Sequence, residues 1–462
     1  MNYEESVRTL LSLGRELASP QHAHVQKFGL ENISTLTSAL GNPHGAAPCV
    51  HIAGTNGKGS TAAMLESILR ESGMRTGLYT SPHLVRINER IRIGGEDISD
   101  EEFAAAWTRV LATIEALLAA GQLAAHPTYF ECITAMAFVA FASHRVDFAV
   151  YETGLGGRLD ATNVVQPEVA VITPIDFDHE DYLGHSIEEI AREKAGIIKR
   201  GAPVVTSATR PEARAVIARR CEELNVRLIE IDAAWGLQEA KPEGGFYRAT
   251  AVAAGTGHKI AIEPPLPGRF QLRNALTAAT AGQLLGQRGF AISDAVIERG
   301  IRSVQWPGRL QRLQENPAVY LDGTHNPAGA RELLKFWEDN FAGRRILLVY
   351  GAMRDKAVDE IAGMLFPRAD LVLLTEPHQP RAISAPLLAE MTAHLTRNSI
   401  IAPDPVAALE RAIELAEPAD AVFATGSLYL VGDLLAYWRT RPALEPAAGS
   451  GARRSDPRPS SR

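Results

Sequence analysis

The sequence has little of what several classes of protein require. Its three cysteines, Cys49, Cys132 and Cys221, are too few and too far apart for a disulfide framework or a metal-thiolate site. The longest apolar run, residues 132–142, falls well short of the ~20 apolar residues that a membrane-spanning helix needs. Positive charge is not in excess, since the formal net charge is -7. The composition therefore argues against nucleic-acid binding and membrane association, and it predicts a cytoplasmic protein with reduced thiols.

Size and composition predict an ordinary globular protein with more than one domain. Hydrophobic residues make up 46% of the chain and charged residues 22%, which is typical of globular proteins. Because one core rarely serves a chain of 462 residues, we expect two or three domains. The start of the chain, MNYEESVRTLLSLGREL, is acidic and amphipathic and does not resemble a signal peptide.

Short apolar segments alternate with helix-forming segments, which predicts a parallel α/β architecture. The first series of strands is predicted in CVHIAG, TGLYTS, VDFAVYE, EVAVITPI, APVVTSA and RLIEID. Capping boxes at Ser99 with Glu102 and at Ser186 with Glu189 predict the starts of two helices. The segment FYRATAVAAGTGHKIAIEPPL is typical of a hairpin, which we expect to close the first domain.

A second α/β series follows a break in the chain. Its strands are predicted in AVYLDGTHNP, RRILLVYGAM, ADLVLLTE and DAVFATGSLYLVG. Pro307 and Gly308 interrupt SVQWPGRLQRL, so we place the domain boundary in residues 305–309. The expected domains are residues 1–305, with a mostly parallel sheet and a phosphate loop, and residues 306–440, a smaller Rossmann-like α/β domain. Residues 441–462 have no apolar periodicity and are expected to be disordered.

The segment VHIAGTNGKGST has a lysine among glycines, after a predicted strand and before a predicted helix. Glycines let backbone N–H groups approach phosphate oxygens, and a helix N-terminus favours anions. Gly57, Lys58, Gly59 and Ser60 are therefore candidates for phosphate binding. The ordinary P-loop has a glycine five residues before its Gly-Lys pair and a Ser or Thr directly after the lysine. Here Ile52 and Gly59 occupy those two positions, and a tight turn with a solvated lysine is the alternative.

Three polar side chains follow successive predicted strands. They are Ser81, Glu152 and His179. Since ligands of an open parallel sheet bind beyond the carboxyl ends of its strands, we expect these groups to lie together near the phosphate loop. A hydroxyl, a carboxylate and an imidazole there are consistent with a Mg²⁺ shell that keeps waters. Imidazole is an unusual magnesium ligand, so a structural histidine is an alternative, as is a buried salt bridge for Glu152.

Lys194 falls on the apolar stripe of the helix predicted after His179. It follows Ile187 by seven residues and Ile190 by four, which is the spacing of one helix face. Two interpretations are open at this point. The lysine belongs to the inner face, or its side chain snorkels outward to water.

Six segments together resemble the family of folylpolyglutamate synthases and bifunctional dihydrofolate synthases, which are relatives of the Mur peptide ligases. They are HIAGTNGKGST, YTSPHLVRINERI, ETGLGGRLDATN, DHEDYLGHSIEEIAREKAGI, PGRLQ and LDGTHNP. The resemblance runs from Val25 to Gly432, with the motifs in the family's order. It implies an ATP-binding, Mur ligase-like first domain with a folate pocket and a glutamate-ligase second domain. In the implied reaction ATP phosphorylates a carboxylate, and the amine of L-glutamate then displaces phosphate.

The resemblance also implies roles for single residues. Gly57, Lys58, Gly59 and Ser60 would hold the ATP phosphates. Ser81, Glu152 and His179 would bind Mg²⁺, with two ions expected. Residues implied to contact ATP around the domain join are Asn274, Arg309, Asp322 and His325. Residues implied to surround the pteridine-bearing substrate are Gln26, Lys27, Phe28, Thr128, Phe130 and Asp160. Lys194 corresponds to a lysine that is carbamylated in this superfamily, and the implied catalytic residues are Lys58, Glu152, His179 and Lys194.

The implied substrates are ATP, L-glutamate, dihydropteroate and reduced folates, and the implied state is a monomer.

The chain departs from the family in two places. It has Asp355, Lys356 and Ala357 where many relatives have Asp-Lys-Asp, and QKFGLENI lacks an acidic residue found in some bifunctional members. The second departure leaves open whether dihydropteroate is accepted or only folylpolyglutamate synthase activity is present. A cell-wall Mur ligase, a P-loop kinase and a nucleotide-binding module without catalysis are the competing hypotheses.

Overall fold

The computed structural model describes residues 1–14, 29–240, 242–396 and 398–441. The predictions made for Gln26, Lys27 and Phe28 lie outside these ranges, as does all but the first residue of the predicted tail. The strands of the first sheet are β1 (Cys49–Ala53), β2 (Thr76–Tyr79), β3 (Ile91–Ile93), β4 (Glu96–Asp97), β5 (Phe148–Glu152), β6 (Val169–Ile172), β7 (Val204–Thr206) and β8 (Leu228–Glu230).

These strands pair in the order β4-β3-β2-β5-β1-β6-β7-β8. All pairs from β2 to β8 are parallel, whereas β3 and β4 extend the edge with antiparallel pairing. β1 lies between β5 and β6 and is buried along its whole length. The loop that follows β1 therefore leaves the sheet at its centre, with the ends of β5 and β6 on either side. The predicted mostly parallel α/β architecture is confirmed.

Helices cover both faces of this sheet. They are α1 (Tyr3–Ser12), α2 (Glu31–Ala39), α3 (Lys58–Glu71), α4 (Asp100–Ala119), α5 (Tyr129–His144), α6 (Glu180–Leu183), α7 (Ile187–Ala195), α8 (Pro211–Leu224), α9 (Ile231–Ala234), α10 (Phe270–Gln287) and α11 (Asp294–Ser303), with short 3₁₀ turns at Pro43–Gly45, Ile87–Arg90 and Ala161–Val164. Both predicted capping boxes are confirmed at the starts of α4 and α7. α3 is packed against α10 and α11 as well as the sheet, so the helix after the phosphate loop is held in the core.

A small antiparallel sheet separates the two α/β series. It contains β9 (Trp235–Glu239), β10 (Ala249–Ala253) and β11 (Lys259–Ile262), in the order β11-β10-β9. The predicted hairpin of β10 and β11 is confirmed. β9 was not predicted, because Trp235 is its only buried residue and the segment shows no alternating apolar pattern.

The second large sheet begins at Gln311, just after the stretch 305–309. Its strands are β12 (Gln311–Glu315), β13 (Ala318–Leu321), β14 (Ile346–Tyr350), β15 (Leu371–Leu374), β16 (Ser399–Ile401) and β17 (Ala421–Thr425). Its helices are α12 (Pro327–Asn340), α13 (Val358–Leu365), α14 (Ala385–Thr392), α15 (Pro405–Leu415) and α16 (Leu428–Thr440), with a 3₁₀ turn at Phe366–Arg368. The order is β12-β13-β17-β14-β15-β16, and only the β12–β13 pair is antiparallel. In the described ranges, no helix combines the length and apolar character needed to cross a membrane.

Candidate active site

The loop between β1 and α3, which is predicted to bind phosphate, requires a glycine at position 57. Gly57 is the N-cap of α3 and has φ +84°, a left-handed conformation that favours glycine. A Cβ at this position would also lie 2.3 Å from Oδ1 of Asn274, so a side chain has no room there. Asn274, on α10, thus lies directly against the loop, and the N-terminus of α3 faces the same side.

Two lysine side chains converge on one carbonyl oxygen of this loop. Nζ of Lys58 donates to the carbonyl oxygens of Gly54 at 3.1 Å and Thr55 at 3.2 Å. Nζ of Lys194 donates to the same Gly54 oxygen at 2.8 Å. Lys194 is only 4% exposed, so it belongs to the inner face of α7 and the snorkelling interpretation is wrong. Burial, together with the charge of Lys58, lowers the pKa of Lys194 to about 7.

Glu152 ends β5 with its carboxylate pointing toward the phosphate loop. Its Oε2 accepts the backbone N–H of Ser81 at 3.3 Å, which brings two of the predicted magnesium ligands together. Burial raises the pKa of Glu152 to about 7, although the charge of Lys58 acts in the opposite direction. A carboxylate removed from water in this way is stabilised as an anion by a nearby cation.

His179 lines the same cavity as Glu152. It has φ +53°, an uncommon backbone conformation for a residue with a side chain. Its Nε2 lies 3.3 Å from Nζ of Lys356 and 3.7 Å from Oδ1 of Asp178. Burial and the charge of Lys356 lower the pKa of His179 to about 3, so the imidazole is neutral and one ring nitrogen keeps its lone pair.

Ser81, Glu152 and His179 line one cavity, and their role as ligands of a magnesium ion shared with a nucleotide stays a prediction. Among the residues that the structure describes, no three His, Cys, Asp or Glu side chains form a cluster able to hold a metal ion. Magnesium bound with nucleotide needs few protein ligands, because phosphate oxygens and water complete its octahedral shell. The hydroxyl of Ser81, the carboxylate of Glu152 and the neutral imidazole of His179 are acceptable donors for such an ion.

A cavity of about 650 Å³ joins these elements to the second domain. Twelve of the predicted site residues line it: Gly57, Lys58, Gly59, Ser60, Ser81, Glu152, His179, Lys194, Asn274, Arg309, Asp322 and His325. Residues that are far apart in the sequence therefore share one cleft. The roles assigned to them stay predictions, but their convergence is now a feature of the fold.

Arg309 and Asp322 form the second domain's side of the cleft. Asp322 accepts the backbone N–H groups of Leu310 at 2.9 Å and Thr324 at 3.1 Å, so its carboxylate fixes the loops around it. The guanidinium of Arg309 interacts electrostatically with the carboxylates of Asp322 and of Glu152. Arg309 consequently connects the acidic groups of the two domains.

The predicted substrate residues Thr128, Phe130 and Asp160 do not line this cavity. Thr128 caps α5, and both oxygens of Asp160 accept hydrogen bonds within its own loop, from Gly154, Leu155 and Thr162. Asp160 is therefore an organiser of this loop in the structure, and a contact with substrate stays a prediction. Phe130 packs so closely on Gly154 that a Cβ there would lie 2.4 Å from the ring. Because Gly154 lines the cavity, the ring of Phe130 stands directly behind its wall.

A polar network that the motifs did not predict joins the domains. The side-chain amides of Asn56 and Asn326 exchange two hydrogen bonds, at 3.1 and 2.9 Å. Asn326 also donates to Asp178 at 3.3 Å, and Lys356 donates to Asp178 at 2.8 Å. Burial alone would raise the pKa of Asp178, but the neighbouring His325, His179 and Lys356 hold it well below its ordinary value.

Most members of this network stand next to a residue that the motifs singled out, which is the signal that could have revealed them. Asn56 precedes Gly57, Asp178 precedes His179, and Asn326 follows His325. Lys356 belongs to the segment that departs from the family pattern, yet it reaches Asp178 without any contribution from Ala357. The alanine at position 357 therefore does not remove the contact between Lys356 and Asp178.

Comparisons with known proteins agree with this geometry. Residues 52–282 match the Mur ligase middle domain, and residues 308–428 match the Mur ligase, glutamate ligase domain. The chain is 39% identical over 417 residues to the dihydrofolate synthase/folylpolyglutamate synthase of Bacillus subtilis, a match that covers 88% of this chain and 94% of that protein.

Two solved structures have the same fold. Mycobacterium tuberculosis folylpolyglutamate synthase complexed with ADP and AMPPCP gives a TM-score of 0.84 at 33% identity, covering 95% of this chain and 100% of that one. Escherichia coli FolC in complex with DHPP and ADP gives 0.81 at 30% identity, covering 95% and 97%. These matches confirm the resemblance and the α/β fold with parallel sheets in both domains, and they oppose the kinase and non-catalytic hypotheses. The chain belongs to the dihydrofolate synthase and folylpolyglutamate synthase family of ATP-dependent, Mur-type ligases.

Proposed function

We propose that the protein ligates L-glutamate to dihydropteroate and to the γ-carboxyl group of reduced folates and their polyglutamates. ATP would convert the acceptor carboxylate into an acyl phosphate, and the amine of glutamate would then displace phosphate. One observation carries the proposal. The cleft brings the phosphate loop and the buried Glu152 of the first domain against Arg309, Asp322 and His325 of the second. Such a cleft suits the transfer of a phosphoryl group from ATP to the acceptor carboxylate, with groups of both domains around the reacting phosphate.

The phosphate loop supplies the groups that bind the transferred phosphoryl group. The N-terminus of α3 and the ammonium of Lys58 are suited to the terminal phosphates of ATP, because both favour negative charge. Ser81, Glu152 and His179 would hold Mg²⁺, which neutralises phosphate charge when bound. Arg309 comes from the other domain and already interacts with Glu152 in the structure, so its guanidinium would lie near the reacting phosphate in the closed cleft. Closure also excludes water that would hydrolyse an acyl phosphate.

Two further parts of the proposal concern the metal site and the assembly. We expect two Mg²⁺ ions, with Lys194 as a carbamate supporting one of them. The ammonium form places two like charges on the Gly54 carbonyl, a poor arrangement beside a divalent cation. We also expect the protein to act as a monomer, since the cleft is assembled from two domains of one chain.

The proposal is tested by ATP-dependent incorporation of labelled glutamate with two acceptors, dihydropteroate and a reduced folate. We expect both to be extended. Incorporation with the folate alone would restrict the enzyme to folylpolyglutamate synthase activity, and incorporation with neither would overturn the proposal. A reaction without ATP is the control for incorporation of labelled glutamate by ATP-independent exchange. UDP-muramoyl acceptors should give no product, since turnover with them would indicate a cell-wall ligase.

Phe130 offers a test of the predicted pteridine pocket. Removing the ring in Phe130→Ala should raise KM for the pteridine-bearing acceptor by about tenfold, because the proposed stacking contact with the pteridine is lost. Phe130→Tyr keeps the ring and should retain most of the affinity. KM for ATP should not change in either variant. An equal rise in both KM values would indicate general damage to the cleft instead of a pocket.

The network around Asp178 predicts a role in domain closure. Asp178→Asn removes the charge that balances Lys356 and should lower kcat/KM about tenfold. The closed arrangement of the two domains should also be less populated in this variant. With nucleotide bound, small-angle X-ray scattering should therefore give a larger radius of gyration for the variant than for the wild-type protein. Glu263→Gln breaks an exposed 2.7 Å ion pair with Arg302 and should alter neither value. A compact, fully active Asp178→Asn variant would show that the network does not hold the domains together.

A further inference from the structure

Gly59, the residue after Lys58 of the phosphate loop, lies against Trp306 from the stretch between the domains. An ordinary P-loop has Ser or Thr at this position, and its hydroxyl binds magnesium. Here a Cβ at Gly59 would lie 3.0 Å from Cζ2 and 3.3 Å from Nε1 of Trp306. Such separations are tighter than nine in ten real Cβ contacts, so a Ser or Thr at this position would require the indole to shift by a few tenths of an ångström.

The same position is bordered by the predicted metal ligand. Oε2 of Glu152 lies 3.4 Å from the Cβ that Gly59 lacks, which is ordinary van der Waals contact. The carboxylate is therefore found beside the place where a P-loop hydroxyl would stand. The indole of Trp306 and the carboxylate of Glu152 therefore both border the space where a side chain at position 59 would begin.

Trp306 is itself held by the first sheet. The guanidinium carbon of Arg92 lies 5.2 Å from the centroid of the indole, within the range of a cation–π contact. Arg92, on β3, is fixed in turn by Asp97 at 2.8 Å. Trp306 also precedes Arg309 by three residues in the stretch between the domains. The indole thus links the phosphate loop, the first sheet and the segment that carries Arg309.

We propose that Trp306 is a positioning residue of the ATP site. Its indole takes the place of the missing P-loop side chain, keeps the loop beside the carboxylate of Glu152 and ties the interdomain stretch to the loop. That Glu152 beside this loop binds magnesium rests on the proposed function, whereas the contact between Trp306 and Gly59 does not.

Nucleotide affinity measured by calorimetry is the first test. With ADP as the probe and no metal present, Trp306→Ala should weaken binding about tenfold, since the loop loses its support. Trp306→Phe should restore most of the affinity. Trp438→Ala is the matched control, because Trp438 is also stacked by an arginine, Arg441 at 4.7 Å, but packs against the core of the second large sheet instead of the phosphate loop. An unchanged affinity in Trp306→Ala would overturn the proposal.

A double-mutant cycle tests the contact with Gly59 directly. Gly59→Ser should weaken ADP binding about tenfold in the wild-type background, because the new side chain meets the indole. In the Trp306→Ala background the same substitution should cost clearly less. Additive losses would mean that the indole does not restrict this position. Melting temperatures of all variants separate these effects from unfolding.

Fluorescence keeps the proposal testable if Trp306→Ala does not fold. ADP should change the emission of the wild-type protein, and that change should be absent in Trp306→Phe, which keeps the other tryptophans. An identical response in both proteins would show that the indole does not contact the occupied loop. If ADP binding depends on Trp306 but no glutamate is incorporated, the positioning role stands and the proposed function fails.

Discussion

Glu152→Gln is expected to abolish ATP-dependent glutamate incorporation and to leave the protein folded. The carboxylate is buried at the end of β5, beside the phosphate loop and 3.3 Å from the backbone nitrogen of Ser81. An amide is nearly the same size but carries no charge to attract Mg²⁺. Losing a preorganised charge at a phosphoryl-transfer site lowers kcat by about a thousandfold.

The fold of this variant should survive for reasons visible in the same contacts. The amide oxygen of glutamine can still accept the N–H of Ser81, and no packing atom is removed. Burial already disfavours the charged form of Glu152, so neutralising it does not cost stability. Circular dichroism and the melting temperature without magnesium measure this directly.

Glu66 provides a matched control. It is also buried, at 5% exposure, and its carboxylate accepts the hydroxyl of Thr76 instead of facing the cleft. Burial raises the pKa of Glu66 as it does that of Glu152. Glu66→Gln should therefore keep its activity. A wild-type rate from Glu152→Gln at saturating magnesium would exclude the proposed metal role.

The position of Glu152 could be predicted from the sequence because it depends only on the alternation of strands and helices. Glu152 ends a short apolar strand, and Ser81 and His179 each come after one. The carboxyl ends of parallel strands lie on one edge of a sheet. Spacing alone puts Lys194 on the apolar face of its helix, and the structure buries it. Local patterns of this kind need no knowledge of distant contacts.

Other features depend on contacts between parts of the chain that no local pattern connects. Asn56 and Asn326 exchange hydrogen bonds across 270 positions, and each would pass as an ordinary loop asparagine in the sequence. Trp306 stands beside the predicted break at Pro307, but its contact with Gly59 exists only when the domain join folds back over the loop. Asp160 is predicted at the substrate, whereas its hydrogen-bond donors in the structure are neighbours in its own loop.

Lys194 is expected to act as an anion in the working enzyme. In the structure its ammonium shares the Gly54 carbonyl oxygen with Lys58, and burial lowers its pKa to about 7. A substantial fraction of neutral amine is therefore present near neutral pH, and this form attacks carbon dioxide. The product is a carbamate, formed with release of one proton. It replaces a cation by a carboxylate-like group beside the expected magnesium ions, which removes the repulsion.

The alternative keeps Lys194 protonated, as a clamp on the transferred phosphoryl group. Substitution separates the two accounts. If the cation is required, Lys194→Arg should keep appreciable activity, because a guanidinium stays charged. If the carbamate is required, both Lys194→Arg and Lys194→Ala should lose at least about a hundredfold in kcat, the scale of a lost electrostatic group. Acetate should then partly restore Lys194→Ala by occupying the vacated anionic position.

The chain offers a matched control in Lys199, which is also partly buried, has a lowered pKa and donates to the carbonyl oxygens of Asn163 and Val165. Lys199→Arg should remain active, since Lys199 does not line the cleft. Carbon-13 NMR with labelled carbon dioxide gives a readout that is independent of turnover. A carbamate signal should appear in the wild-type protein and in Lys199→Arg, and it should be absent from Lys194→Ala. An active Lys194→Arg enzyme, with no acetate rescue of Lys194→Ala and no carbamate signal, would establish the cationic role instead.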